Sequence, residues 1–148
     1  MILVDEFAPL QFTTMHEVNL GWAGVVAGHL GEHDAAEEIH TQLSAFAGRM
    51  IWTTHTFCGP VDLWIARASV SANEPEQALA EFESAESMCR ESGTATWLAR
   101  VLLHRAQLHV ARGETALAAD SAREAFAVSE PRGLKYVAER SSALLESL

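Results

Sequence analysis

Three alanines set the organisation of this chain. Ala36, Ala78 and Ala118 stand forty-two and forty residues apart, and a breaker stands five residues before each, at Gly31, Asn73 and Gly113. Apolar runs of helical length flank each breaker, so the register repeats one helix-turn-helix unit three times. Such a unit cannot bury its apolar faces alone. Stacked on its neighbours it builds a continuous core, in which small alanines mark close helix crossings. The fold class that follows is all-α.

The boundaries can be argued singly. Gly59 and Pro60 fit a helix start, since a proline in the first turn loses no needed N–H and already has a helical φ. The run Val61 to Ala72 stops at Asn73, and Pro75 opens the next helix. Its Ala78, Phe82, Ala85 and Cys89 recur at spacings of four, three and four, which places them on one buried face. Gly93 suits the end of that helix and Thr94 the N-cap of the next, which carries Trp97, Val101 and Leu108. Gly113 ends it in turn, and Ala118, Ala122 and Ala125 form the inner face of its successor. After Pro131 and Gly133, a closing helix over about 134–148 presents Tyr136, Val137, Leu144 and Leu145 to the stack.

The beginning is less regular. Pro9 disfavours helix before it, so residues 1–14 read as an irregular apolar arm. From Met15 a helix carries Val18, Trp22, Val25, Val26 and Leu30. Its glycines at 21, 24 and 28 each cost about 1 kcal/mol against alanine, which points to close packing against a neighbour. A second helix from about Asp34 to Ala47 turns Ala36, Ile39, Leu43 and Phe46 inward. Arg49 to Cys58 is rich in β-branched and aromatic residues, but no partner strand is visible elsewhere. It reads as the tail of the second helix followed by an extended connection. The helix pairs thus span about 15–47, 59–92 and 94–130 in a single domain covering 15–148.

The period exceeds the thirty-four residues of a standard tetratricopeptide repeat. The expected architecture is a tetratricopeptide-like α-solenoid of three helix pairs plus the closing helix, bent into a right-handed arc. The succession LSAFAGRM, then GPVDLWIARASVSANEPEQALAEFESAESMCRESGTATWLARVLLHRAQLHVARGE, resembles the C-terminal repeat region of large actinobacterial LuxR-type and adenylate-cyclase-like ATPase regulators. The resemblance covers roughly Leu20 to Leu134. Ala47, Gly48 and Arg49, then Gly59 and Pro60, and the run Gly93 to Arg100 carry most of it. It implies an array that receives a protein or small-molecule signal. It does not imply ATP hydrolysis, cyclase activity or DNA binding, because the chain contains no GxxxxGK[ST] phosphate loop, cyclase domain or basic helix-turn-helix.

Charge narrows the partners. Twenty acidic residues face ten basic ones, a formal net charge of −10. Nonspecific nucleic-acid binding needs clustered lysine and arginine, so no direct nucleic-acid partner is expected. No apolar run reaches the length of a membrane span and no signal peptide is legible, so no membrane partner and a cytoplasmic location are expected. Cys58 and Cys89 stand alone, as ordinary buried thiols do.

Chemistry is thin. His29, His33, Glu37 and His40 have ligand-like spacing on a continuous helix, but Gly31 breaks that helix and places His33 in the turn, so no metal and no cofactor are expected. His104, Arg105 and His109 share a helix with no nucleophile placed beside them, so no catalytic residue is assigned and the chain is not read as an enzyme. The glutamates at 74, 76, 81, 83, 86 and 91 read as a wet helix face. In the alanine register, Trp22, Trp64 and His104 stand fourteen residues before each reference alanine, on the first helix of each unit. First helices line the concave side of such a stack. Trp22, Trp64, Arg67, Arg100, His104 and Gln107 are therefore the candidate groove contacting an extended or helical protein or peptide, and the arginines favour an acidic one. A small-metabolite-binding helical domain, or a cryptic enzyme using the groove, is the alternative. A homodimer is also expected, formed through the arm, with its Met1, Ile2, Leu3, Val4, Phe7, Leu10 and Phe12, or through the first helix pair.

Overall fold

A computed structural model describes residues 15–53 and 56–148. Those residues are mostly helical, as the sequence predicts. They form α1 (His16–Leu30), α2 (His33–Ser44), α3 (Val61–Ser71), α4 (Pro75–Glu91), α5 (Ala95–Ala111), α6 (Thr115–Ser129) and α7 (Lys135–Ser147), with two short strands, β1 (Met50–Trp52) and β2 (Phe57–Pro60), and a 3-10 turn at Glu130–Arg132. The apolar arm, and with it the arm-mediated dimer, lies outside the described residues. The described residues divide into two compact units within α4, between Ser84 and Ala85.

One turn recurs through both units. Gly31, Asn73, Gly93, Gly113 and Gly133 all have positive φ, between 65 and 74°. The amide following each donates to the carbonyl five residues back: Glu32 to Ala27, Glu74 to Ser69, Thr94 to Cys89, Glu114 to His109 and Leu134 to Ser129, at 2.9 to 3.1 Å. This is the Schellman arrangement, which satisfies the carbonyls left over at a helix end. Asn73 is the one non-glycine with positive φ among the described residues; asparagine tolerates that region better than most side chains. From Asn73 onward the turn residue returns every twenty positions, so the alanine period of forty is two such turns. The helix starts rely less on side chains. Thr94 occupies the N-cap position of α5 but makes no side-chain cap, and its hydroxyl instead faces the Cys89 carbonyl at 3.5 Å.

In the first unit, α1, α2 and α3 pack on one another around Val18, Leu20, Ala27, Ile39, Leu43, Ile51, Val61, Trp64 and Ile65. The buried side of α1 is its glycine side, Gly21 and Gly24 with Val18, Leu20 and Ala27, whereas Trp22, Val26 and Leu30 face outward. A Cβ on Gly21 would stand 2.5 Å from the Trp64 ring, and one on Gly24 would meet Ile39 Cγ2 at 3.3 Å and Ala68 Cβ at 3.4 Å. The two positions should therefore separate on substitution. Gly21→Ala gains about 1 kcal/mol of helix propensity but forces a buried indole to move, and a net loss of about 1 to 2 kcal/mol is expected from overpacking. Gly24→Ala needs a shift of only a few tenths of an ångström and should be near neutral. Urea unfolding of the two variants checks the contrast; equal effects would mean that the α1–α3 crossing is looser than described.

The segment Arg49 to Cys58 corrects the sequence reading. α2 ends at Ser44, and the chain turns through 45–48 before entering β1. β1 pairs antiparallel with β2, Met50 opposite Pro60 and Ile51 opposite Gly59, with an irregularity before Trp52 opposite Phe57. The missing partner strand lies within the same stretch, so backbone groups that have no outside partner satisfy one another across a hairpin. Ile51 joins the core, while Trp52 stays 71% exposed and stacks on Phe57 with centroids 4.5 Å apart. Pro60 is likewise not in the first helical turn. At φ −73° and ψ 142° it closes β2 and serves as the residue before α3. Two residues later Asp62 is buried, accepting the Gly48 amide at 2.7 Å and the Ser84 hydroxyl at 2.6 Å. One carboxylate thus ties the base of the hairpin to the first turn of α3 and to α4.

Within α4, Ala78, Phe82, Ala85 and Cys89 are all buried, as their spacing predicts. In the second unit α6 packs against α5 and α7, and α5 also meets α7. Leu98, Val101, Leu102, Leu103, Ala106 and Leu108 of α5 are buried, and so, fully, are Ala118, Ala122 and Ala125 of α6. Of the four residues assigned inward on α7, only Val137 is buried, and Tyr136 is exposed. Glu86, on the last turns of α4, accepts Arg90 at 2.6 Å and also Arg105. Arg90 reaches on to Glu124 at 2.5 Å, and Arg105 to the Ser121 hydroxyl at 3.2 Å.

Candidate functional site

The six groove residues fall into two trios, one in each unit. In the first, Trp22 and Trp64 are tilted rings 5.3 Å apart. The Arg67 guanidinium lies 6.0 Å from the first ring and 5.3 Å from the second. Trp22 is 54% exposed, Trp64 only 5%. Trp64 also donates from Nε1 to the Cys58 carbonyl at 3.2 Å, so it is a core side chain supporting the other two. The exposed surface here is the outer face of Trp22 with the Arg67 guanidinium beside it.

The second trio lies on α5. Arg100 is exposed and stands 5.1 Å over the Trp97 ring, and the His104 ring bonds to the Gln107 amide oxygen at 3.1 Å. Two clefts open between α5 and α7. One, of about 140 Å³, is lined by Thr96, Arg100, Leu134, Lys135, Tyr136 and Val137. The other, of about 310 Å³, is lined by Gln107, Val110, Arg140, Ala143, Leu144 and Ser147. Sequence reasoning missed the α7 side of both. The signal was nevertheless there: α5 carries no Asp or Glu, and Lys135, the chain's lone lysine, stands at the start of α7.

Polar clusters elsewhere are structural. Ser69, His40 and Glu81 come together, but the Ser69 hydroxyl donates to Glu81 Oε2 at 2.6 Å, while His40 Nε2 meets Glu81 Oε1 at 2.7 Å. No imidazole faces the serine, and Ser69 is buried, so it lacks the access that a nucleophile needs. His33 is the first residue of α2, not a turn residue, and its Nδ1 lies 2.7 Å from the Ser71 carbonyl. Among the described residues no group of three or more His, Cys, Asp or Glu side chains is placed to hold a metal ion. His109 and Arg112 hydrogen-bond the Glu114 carboxyl and hold it below the usual carboxylate range, the His109 bond counting most. Burial pushes the Cys58 and Cys89 thiols up, away from the thiolate that would react. None of the described helices is long and apolar enough to cross a membrane. Comparison with protein families, with curated proteins and with solved structures gives no match to this chain.

Proposed function

We propose that this chain is a noncatalytic protein-interaction or signal-receiving module. In this reading its helices form a tetratricopeptide-like solenoid of three pairs plus a closing helix, related to the repeat arrays of the ATPase regulators that it resembles. The observation that carries it is Trp22. A large indole more than half exposed, braced from below by Trp64 and flanked by Arg67, has the composition and support of an interface anchor. The twenty-residue return of one turn type supports the repeat part of the reading. A second copy of the chain is one admissible partner, since Trp22, Val26 and Leu30 form an exposed apolar stripe at successive turns of α1.

Photo-crosslinking tests it. A benzophenone amino acid at position 22 in the host cell should capture a discrete protein, either a second copy or a different chain, and the same probe at the exposed Glu83 should not. No adduct at position 22, or the same adducts at both positions, would overturn the module reading.

A further inference from the structure

The geometry points to the seam between α5 and α7 as the docking groove for an extended acidic peptide. This rests on the interaction-module reading and names the partner chemistry for one face of the second unit. The argument is one of charge in an acidic chain. Twenty carboxylates face ten cations, and Arg90, Arg105, Arg112 and Arg123 are in ion pairs. Arg100, Lys135 and Arg140 carry no ion pair among the described residues, and all three line the seam. No carboxylate lines either cleft. α5 has none, and the acids of α7, Glu139 and Glu146, lie outside both linings. Three cations on one face with no carboxylate partner among the described residues, two of them resting on aromatic rings, form a positive stripe on a negative protein, which steers and holds an anionic segment.

Shape selects a peptide. The clefts follow one another along the seam, at Thr96 and Arg100 beside the start of α7, then at Gln107 and Val110 beside its second half. Thr96 to Val110 spans about 21 Å at the helical rise, which matches about six residues of extended chain. A small metabolite needs enclosure, whereas both clefts lie open along the helices. The lining also alternates in character: Tyr136 packs within 6.0 Å of Arg140, and Leu134, Val110 and Leu144 supply apolar footing between the charges. Carboxylate side chains of a peptide meet the cations while its intervening side chains rest on that footing.

Panning a random linear heptapeptide display library on the immobilised full chain tests this. The enriched peptides should be rich in Asp and Glu, and their fluorescein-labelled synthetic forms should bind more weakly as NaCl rises from about 50 to about 300 mM. The double variant Arg100→Glu with Arg140→Glu should weaken binding at least about tenfold, with an unchanged helical circular dichroism spectrum. Arg123→Glu, an exposed reversal on α6, should leave affinity within about twofold. If the double variant loses helicity, Arg100→Gln alone, at an exposed position, should still weaken binding severalfold. Acidic peptides that bind the double variant as well as the wild type would overturn the groove and leave the module reading standing. Enrichment of neutral or basic peptides, or of none, would overturn the peptide chemistry. Tighter binding of a labelled oligothymidylate than of any peptide would overturn it too.

Discussion

Replacing Phe82 with alanine should lower the free energy of unfolding by about 3 to 5 kcal/mol, the range for emptying a large aromatic site in a core. Phe82 is 1% exposed and is flanked on the same face of α4 by Ala78 and Ala85, both fully buried. Those neighbours are already the smallest side chains that a helix favours, so neither can reach into the space left behind and most of the cavity persists. Phe82→Leu should recover much of the loss by restoring volume. Chemical unfolding of both variants measures it. A loss below about 1 kcal/mol for the alanine variant would show that the surroundings collapse freely.

Asp62→Ala should be the next most damaging single change, at about 2 to 4 kcal/mol. Its carboxylate accepts two hydrogen bonds from different parts of the chain, Gly48 on one side and Ser84 on the other, and bonds to an ionised acceptor contribute about 1.5 to 3 kcal/mol each. Water regains part of that for the more exposed donors, which sets the range below the simple sum. Asp62→Asn keeps the shape and one accepting oxygen, and should lose about half as much. The damage should also be local, with faster amide hydrogen exchange at Gly48 and across the β1–β2 hairpin than in α5 or α6. Uniform acceleration, or an alanine variant as stable as the asparagine one, would mean that Asp62 does not tie these segments together.

These effects trace how far the residues themselves could be read. The buried stripe of α4 was legible because spacings of four, three and four admit one helical face. The turns at Gly31, Asn73, Gly93 and Gly113 were legible because each interrupts an otherwise unbroken helical run. α1 was read on its large apolar residues, yet close approach to α3 is a demand on volume. Glycine and alanine therefore took the inner side and Trp22, Val26 and Leu30 were left outside. The hairpin was missed because its two strands are three and four residues long, too short for a period of two to register. The partner strand stands only five residues on. Of the candidate groove, the α5 residues followed from the repeat register, whereas Lys135, Tyr136 and Arg140 of α7 did not. The closing helix reads as a cover with Tyr136 turned inward, whereas Tyr136 is exposed.

The short turns carry a further meaning. Residues 72–74, 92–94 and 112–114 are all that separate one helix from the next, and each turn is locked by its own backbone bonds. A connection of that length leaves nothing to swing over a bound molecule. The rigid surface is that of the helices themselves, whose side chains are set at fixed increments of about 1.5 Å along each axis. On the proposed reading such a surface would work as a ruler, selecting a ligand by the distances between its groups. The connection from α2 to α3 is longer and carries β1 and β2, with Trp52 exposed on it.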